Sequence, residues 1–321
     1  MMNKSGIDWC DFSWNPVTGC RRGCEYCYAR VMARRFTGDA RMNKADPQLQ
    51  ITKGIGGDIY TLAAPFKGGR GQAVPFPAGF EPTLHEYRLA DPAKKKKPAN
   101  IFVCSMADLF GPWVPDEWID RVFEACAAAP WHNYLFLTKY PDRYCDRAMA
   151  GKLPQGPGYW YGTSTPTPET GFFWADGYNT FVSVEPIAAS FEGSILDKYV
   201  ADWVIIGAET GQRPGKVQPA REWIEPLVSL CRDKGVPVLL KDSAELRAVW
   251  GDDLIQEWPE GLQRAPDAPI PHCTACEDVR GVQQGKRGTA YTCTHGGQDR
   301  HILGRYTRTS PPWCPRRKQT E

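Results

Sequence analysis

The residues best equipped for chemistry are three cysteines in GCRRGCEYCYAR. Cys20, Cys24 and Cys27 are spaced C-x3-C-x2-C, with Tyr26 directly before the third. Three thiolates can occupy three irons of a 4Fe-4S cubane and leave the fourth iron open to a small ligand that chelates through an amine and a carboxylate. Structural zinc with a distant fourth ligand is the competing reading, since short cysteine spacings serve zinc as well. Zinc knuckles favour paired C-x2-C units. This triplet instead sits between a strand-like segment and EYCYARVMARRF (25–36), which has helical spacing and whose positive N-terminal end suits anionic sulfur.

Of the 12 cysteines, a second group comprises Cys273, Cys276, Cys293 and Cys314, enough for a closed tetrahedral site. Structural zinc would stabilise a tail without its own core, and an auxiliary 4Fe-4S cluster fits equally by ligand count. His272, His295 and His301 are near enough in sequence to replace one cysteine. Cys10, Cys104, Cys126, Cys145 and Cys231 are scattered and read as small buried apolar residues.

Several elements must position the triplet. FSWNPVT (12–18) supplies a strand before it, and the short apolar runs 101–104, 134–138, 159–163, 180–184, 203–207 and 236–240 supply more, with helices expected at 115–128, 141–149 and 219–234. Near-continuous apolar runs belong to strands covered on both faces. The expected fold is α/β: a partial or complete parallel (β/α) barrel over 1–255, with 37–80 as a long loop or insertion. A small cysteine-rich C-terminal metal-binding module follows over 256–321, too poor in apolar residues to fold unaided.

Polar residues recur after these strands: Ser105 and Asp108, Thr138 and Lys139, Ser164, Glu185, Glu209, Lys241 and Asp242. In parallel barrels the strand C-termini carry the active face. Glu185 and Glu209 suit either a ligand's hydroxyls or a salt bridge at the rim. Lys139 and Lys241 suit an anionic group, because a lysine in a low-dielectric cavity needs a partner. Trp113, Trp160, Tyr161, Phe172, Phe173 and Trp174 offer stacking surfaces for a base, against the plainer reading as packing.

Lys and Arg number 39 against 37 Asp and Glu, a formal charge of +2, so no global field advertises nucleic acid or membrane and any polyanion must use a local patch. KKKK (94–97) reads as a solvated loop. No apolar run is long enough for a membrane span and the N-terminus lacks a signal peptide's apolar stretch, so a cytoplasmic location is expected.

Beyond the triplet, IDWCDFSWNPVTGC, CEYCYARVMARR, IFVCSMADLFGPWVPDEWIDRVF, YLFLTKYPDR, FVSVEPI, DWVIIGAETG and GVPVLLKD make the chain resemble the radical S-adenosylmethionine (SAM) superfamily over roughly 7–245. More narrowly, it resembles the phage Gp37/Gp68 family. It is also distantly similar to spore photoproduct lyase, in which a serine- and aspartate-containing loop and a Thr-Lys pair end successive strands. The resemblance implies a cluster on Cys20, Cys24 and Cys27 that cleaves SAM to a 5′-deoxyadenosyl radical. It places Tyr26, Ser105, Asp108, Thr138, Lys139, Glu185, Glu209 and Lys241 around the cofactor, Ser105 and Asp108 near the methionyl amine. It implies an electron donor such as flavodoxin or ferredoxin and a nucleic acid or nucleotide substrate, a modified pyrimidine of phage DNA first among them, in the host cytoplasm. The superfamily's usual Gly-Gly-Glu is absent. The alternative from another class is a non-catalytic zinc- and nucleic-acid-binding protein.

Overall fold

The computed structural model describes residues 2–262 apart from 200, 211, 212 and 214, and beyond them 279–283, 289–294 and 300–302. The chain divides into two compact units, 1–262 and 263–321.

The first unit opens with β1 (Asn3–Lys4), β2 (Phe12–Trp14) and β3 (Val17–Thr18), then α1 (Tyr28–Arg35). The excursion that follows holds α2 (Ala40–Lys44), β4 (Gln50–Gly54), β5 (Gly57–Leu62), β6 (Thr83–His85) and α3 (Asp91–Lys94). Its strands join β3 in a four-stranded sheet of order β3-β6-β5-β4. Residues 37–80, expected as a long loop or insertion, are therefore partly built into a sheet. That sheet has its own small core of Leu49, Tyr60, Leu62, Phe66, Val74 and Ala78. In the KKKK run, Lys94 pairs with Asp91, and the Lys95 and Lys96 ammonium groups lie over the rings of Phe12 and Trp131.

From Asn100 onward strand and helix alternate: β7 (Asn100–Val103), α4 (Asp116–Ala127), β8 (Asn133–Thr138), α5 (Asp142–Met149), β9 (Tyr159–Ser164), β10 (Asn179–Val184), β11 (Val204–Ile206), α6 (Arg221–Asp233), β12 (Val238–Leu240) and α7 (Ala244–Trp250). With β1 and β2 they form an eight-stranded sheet of order β1-β2-β7-β8-β9-β10-β11-β12, parallel throughout except for the β1–β2 edge. No strand pair among the described residues closes β12 back onto β2, so the barrel is open. A single side-chain bond spans those ends, from the Asp242 amide to Asp8 Oδ2 at 2.6 Å.

Alternate residues of the same strands enter different cores, as a period of two requires. Ile101, Val103, Tyr134, Phe136 and Tyr161 pack with buried residues of α4 such as Ile119 and Val122. Phe102, Leu135, Trp160, Phe181, Ile205 and Leu239 meet Trp9 and Trp203 in a separate core. This two-sided burial is why the runs are nearly continuous in sequence. It also settles most of the aromatics read as stacking candidates: Trp113, Trp160, Tyr161 and Phe173 are buried core, whereas Trp174 is 47% exposed.

Residues 256–262, which composition assigns to the tail, pack on the first unit: the Leu240 amide donates to the Ile255 carbonyl and the Glu257 amide to the Val238 carbonyl beside β12, and Asn133 and Asn100 donate to the carbonyls of Gly261 and Leu262. In the second unit β13 (Val279–Gln283), β14 (Thr289–Cys293) and β15 (Arg300–Ile302) form an antiparallel sheet. Cys293 ends β14 and is buried. Cys273, Cys276 and Cys314, and with them the expected second metal site, lie outside the described residues. No helix among the described residues is long and apolar enough to cross a membrane.

Candidate functional site

The ligand loop begins where β3 ends. Gly19 takes φ 91°, and a Cβ there would lie 2.1 Å from the Glu81 carbonyl oxygen, so only glycine permits this approach of two backbones. The Cys20 amide donates to the Phe80 carbonyl. The Arg21 guanidinium donates to the carbonyls of Ile55 and Asp58 and to Glu81, which fastens the loop to the β4–β5 hairpin. Arg30 reaches back from α1 to the Cys20 carbonyl at 3.1 Å while its guanidinium lies over the Phe80 ring. Cys27 is the N-cap of α1, its Sγ accepting the Arg30 amide at 3.4 Å.

All three cysteines open into one cavity of about 410 Å³, together with Tyr26, Ser105, Asp108, Thr138, Lys139, Glu185, Glu209 and Lys241. The cluster and cofactor residues that the sequence nominates in the first unit thus line one cavity, whereas Asp242 does not and pairs with Arg247 instead. Their hydrogen bonds divide them into groups turned toward protein and groups left for a ligand.

Asp108 is buried and already engaged. Its carboxylate accepts the Thr138 hydroxyl at 2.6 Å and the amides of Lys139 and Phe110, so it ties the SMAD loop to the end of β8. Burial raises its pKa, and these donors oppose that shift. Glu209 is likewise committed: it receives Arg213 Nε and Nη2 at 2.6 and 2.9 Å, and Arg213 also reaches Glu25 in the ligand loop. That pairing holds the Glu209 carboxyl below its usual range. The Ser105 hydroxyl donates to Asn15 Oδ1, which also accepts the Met106 amide.

The lysines differ. Lys139 Nζ donates to the Ser164 hydroxyl and stands 5.7 Å from the Tyr26 ring centre, and burial lowers its pKa. Lys241 pairs with Glu185, both partly exposed at the mouth. Gly207 makes room for that pair: a Cβ there would lie 2.9 Å from Glu185 Cγ and 3.0 Å from Lys241 Cδ.

Trp9 and Ser183 both line the cavity, and each carries a polar atom, Nε1 and Oγ, that is buried without a hydrogen-bond partner among the described residues. A buried unsatisfied polar group costs roughly 1 to 3 kcal/mol, so this wall is held at some cost to stability. Ser183 had a sequence signal, as the polar interruption of TFVSV. Trp9 and Asn15 had none, because only the fold brings them to strand ends 90 or more residues away in the chain.

The donor set fits an iron-sulfur cluster. Cys20, Cys24 and Cys27 are free thiols, all partly exposed. Burial pushes the Cys20 thiol up to about 12, so a thiolate there calls for a cation beside it. Among the described residues no three His, Cys, Asp or Glu side chains gather within reach of one metal ion. A cubane asks less, since each protein thiolate binds a different iron.

The chain belongs to the family described as "Protein of unknown function (DUF5131)", whose model matches residues 4–289. That description prints neither an activity nor a phage origin. No curated protein matches the chain. Among solved structures it is similar to spore photoproduct lyase complexed with dinucleoside spore photoproduct, at 10% identity and a TM-score of 0.38, over 91% of this chain and 70% of that one. It is similar also to a mutant of that lyase with bound AdoMet and dinucleoside spore photoproduct, at 10% identity and a TM-score of 0.37, over 92% and 72%.

Proposed function

We propose that this protein is a radical SAM enzyme whose Cys20, Cys24 and Cys27 hold a 4Fe-4S cluster with SAM at the open iron. The observation that carries the reading is the convergence of the triplet and the strand-end polar residues on one cavity. When bound, a reduced cluster of this kind supplies one electron to SAM and so gives access to a 5′-deoxyadenosyl radical. The chain's own residues bind, orient and exclude water. Lys241, paired with Glu185 at the mouth, is placed to meet a carboxylate. Tyr26, Trp9, Phe80 and Phe102 give the cavity apolar walls. Asp108 and Glu209 act through the loops they fasten, not through free carboxylates.

For the substrate we propose a planar nucleobase. A flat ring suits the aromatic walls that Trp9, Tyr26 and Phe102 give the cavity.

Anaerobic reconstitution should place about four irons at the triplet, and dithionite with SAM should release 5′-deoxyadenosine. A Cys20→Ala/Cys24→Ala/Cys27→Ala chain should bind about four irons fewer than the parent and release no 5′-deoxyadenosine. Undiminished 5′-deoxyadenosine from that variant, or stoichiometric zinc without iron in the parent, would overturn the reading.

A further inference from the structure

We propose that the outward arc of α1, with the turn into α2, is the docking face for an acidic one-electron donor protein of flavodoxin type. The proposal rests on the cluster reading above and adds to it a surface and a partner. This stretch of chain exposes apolar side chains: Val31 is 52% exposed, Met32 38%, Phe36 49% and Met42 72%, in a unit whose other large apolar residues are mostly buried. Arg34, Arg35 and Arg41 surround them, all exposed and without an ion pair among the described residues. Between Tyr28 and Lys44 the only acidic residue is Asp39, and its carboxylate is occupied in capping α2.

A second cavity, of about 500 Å³, joins this face to the cluster loop. Arg30, Arg34, Lys44 and Cys20 line it, together with two carboxylates, Asp58 and Glu81, that are already paired with Lys53 and Arg21. Cys20 lines the main cavity as well. The first cysteine is therefore a shared wall, with the ligand cavity on one side and the basic cavity on the other. A partner seated over α1 approaches the cluster from the side that SAM does not need. In the step it serves, the donor's reduced flavin loses one electron and the cluster gains it, with no bond made or broken.

Charge selects among occupants. Residues 263–321 carry ten Lys and Arg against five Asp and Glu, so the chain's own C-terminal unit would meet like charge here. Exposed apolar side chains interleaved with unpaired arginines match the composition of protein interfaces, whereas nucleic-acid interfaces are more polar and dominated by phosphate contacts.

The test uses the reconstituted full chain and its Arg34→Glu/Arg35→Glu/Arg41→Glu variant. Flavodoxin affinity at low salt should fall by about tenfold or more in the variant, and in the parent it should weaken as salt rises. Bleaching of the cluster by reduced flavodoxin should slow by a similar factor, while bleaching by dithionite and the melting temperature stay unchanged. Met42→Asp, a single exposed change, should weaken binding in the same direction and covers the case in which the triple variant misfolds. Wild-type affinity and reduction rate in these variants would overturn the docking face alone. So would loss of single-stranded oligonucleotide binding with flavodoxin reduction intact. A parent that dithionite cannot bleach would instead overturn the cluster reading beneath it.

Discussion

Cys27 closes the ligand loop and opens α1, and the two duties can be separated. Its Sγ caps the helix by accepting the Arg30 amide, a task a hydroxyl performs at least as well. Cys27→Ser should therefore leave the stability of the metal-free protein within about 0.5 kcal/mol of the parent by chemical denaturation. Iron bound after anaerobic reconstitution should fall by more than half of the triplet's roughly four atoms. Full iron in the serine variant would remove Cys27 from the ligand set. Gly207 offers a second separation, this time between stability and binding. In Gly207→Ala the new Cβ meets the stems of Glu185 and Lys241 at 2.9 and 3.0 Å. A rim pair is worth up to about 1 kcal/mol, so melting should change little. SAM affinity by equilibrium dialysis should drop about tenfold, equal to roughly 1.4 kcal/mol, because the displaced pair stands at the cavity mouth. Unaltered SAM binding would show that the pair does not hold the cofactor.

The elements that hold the ligand loop make predictions of their own. β6 carries His85, fully buried, with Nε2 on the Thr18 hydroxyl at 2.9 Å and Nδ1 on the Tyr87 hydroxyl at 3.3 Å. Burial, aided by the nearby Arg88 charge, holds its pKa well below 6.5. The unfolded chain takes up a proton near pH 6.5 and the folded chain does not. Stability therefore falls as pH drops from about 6.5 toward the lowered value, by up to about 1.4 kcal/mol per unit. His85→Gln should flatten that decline in denaturation midpoints between about pH 7 and 5, and parallel slopes would refute it. On the loop after β11, Arg213→Ala strips Glu209 of its bidentate partner and should lower the denaturation midpoint, with Arg213→Lys intermediate and an unchanged midpoint refuting the tie. These ties also explain what the sequence made legible. Strands β7 to β12 read as apolar runs because both faces are covered, and the polar residues ending them point to the cavity they line. The partners of Asp108 and Glu209 were not legible, since a carboxylate's choice between ligand and protein is made by its neighbours in the fold: Thr138, 30 residues on, and Arg213, four residues on. The sheet within 37–80 was hidden because β4, QITKG, has almost no buried residue to set a period.

At the scale of the whole molecule, one unit holds all the described site residues and the other holds the second cysteine group. Every cysteine and strand-end residue of the cavity belongs to 1–262, including Lys241 after the last parallel strand. That unit has its own cores, and its end is fastened, with Leu262 buried and its carbonyl accepting Asn100 Nδ2 at 3.0 Å. A chain shortened to residues 1–264 should therefore fold, take up about four irons on anaerobic reconstitution and retain SAM-dependent 5′-deoxyadenosine release. The metal missing from it relative to the full chain belongs to the C-terminal cysteines. One zinc fewer identifies a closed tetrahedral site there, and about four irons fewer identifies an auxiliary cluster. Equal metal in the two chains would refute a C-terminal site of either kind. A shortened chain that folds by circular dichroism but binds no iron would refute the claim that Cys20, Cys24 and Cys27 suffice for the cluster.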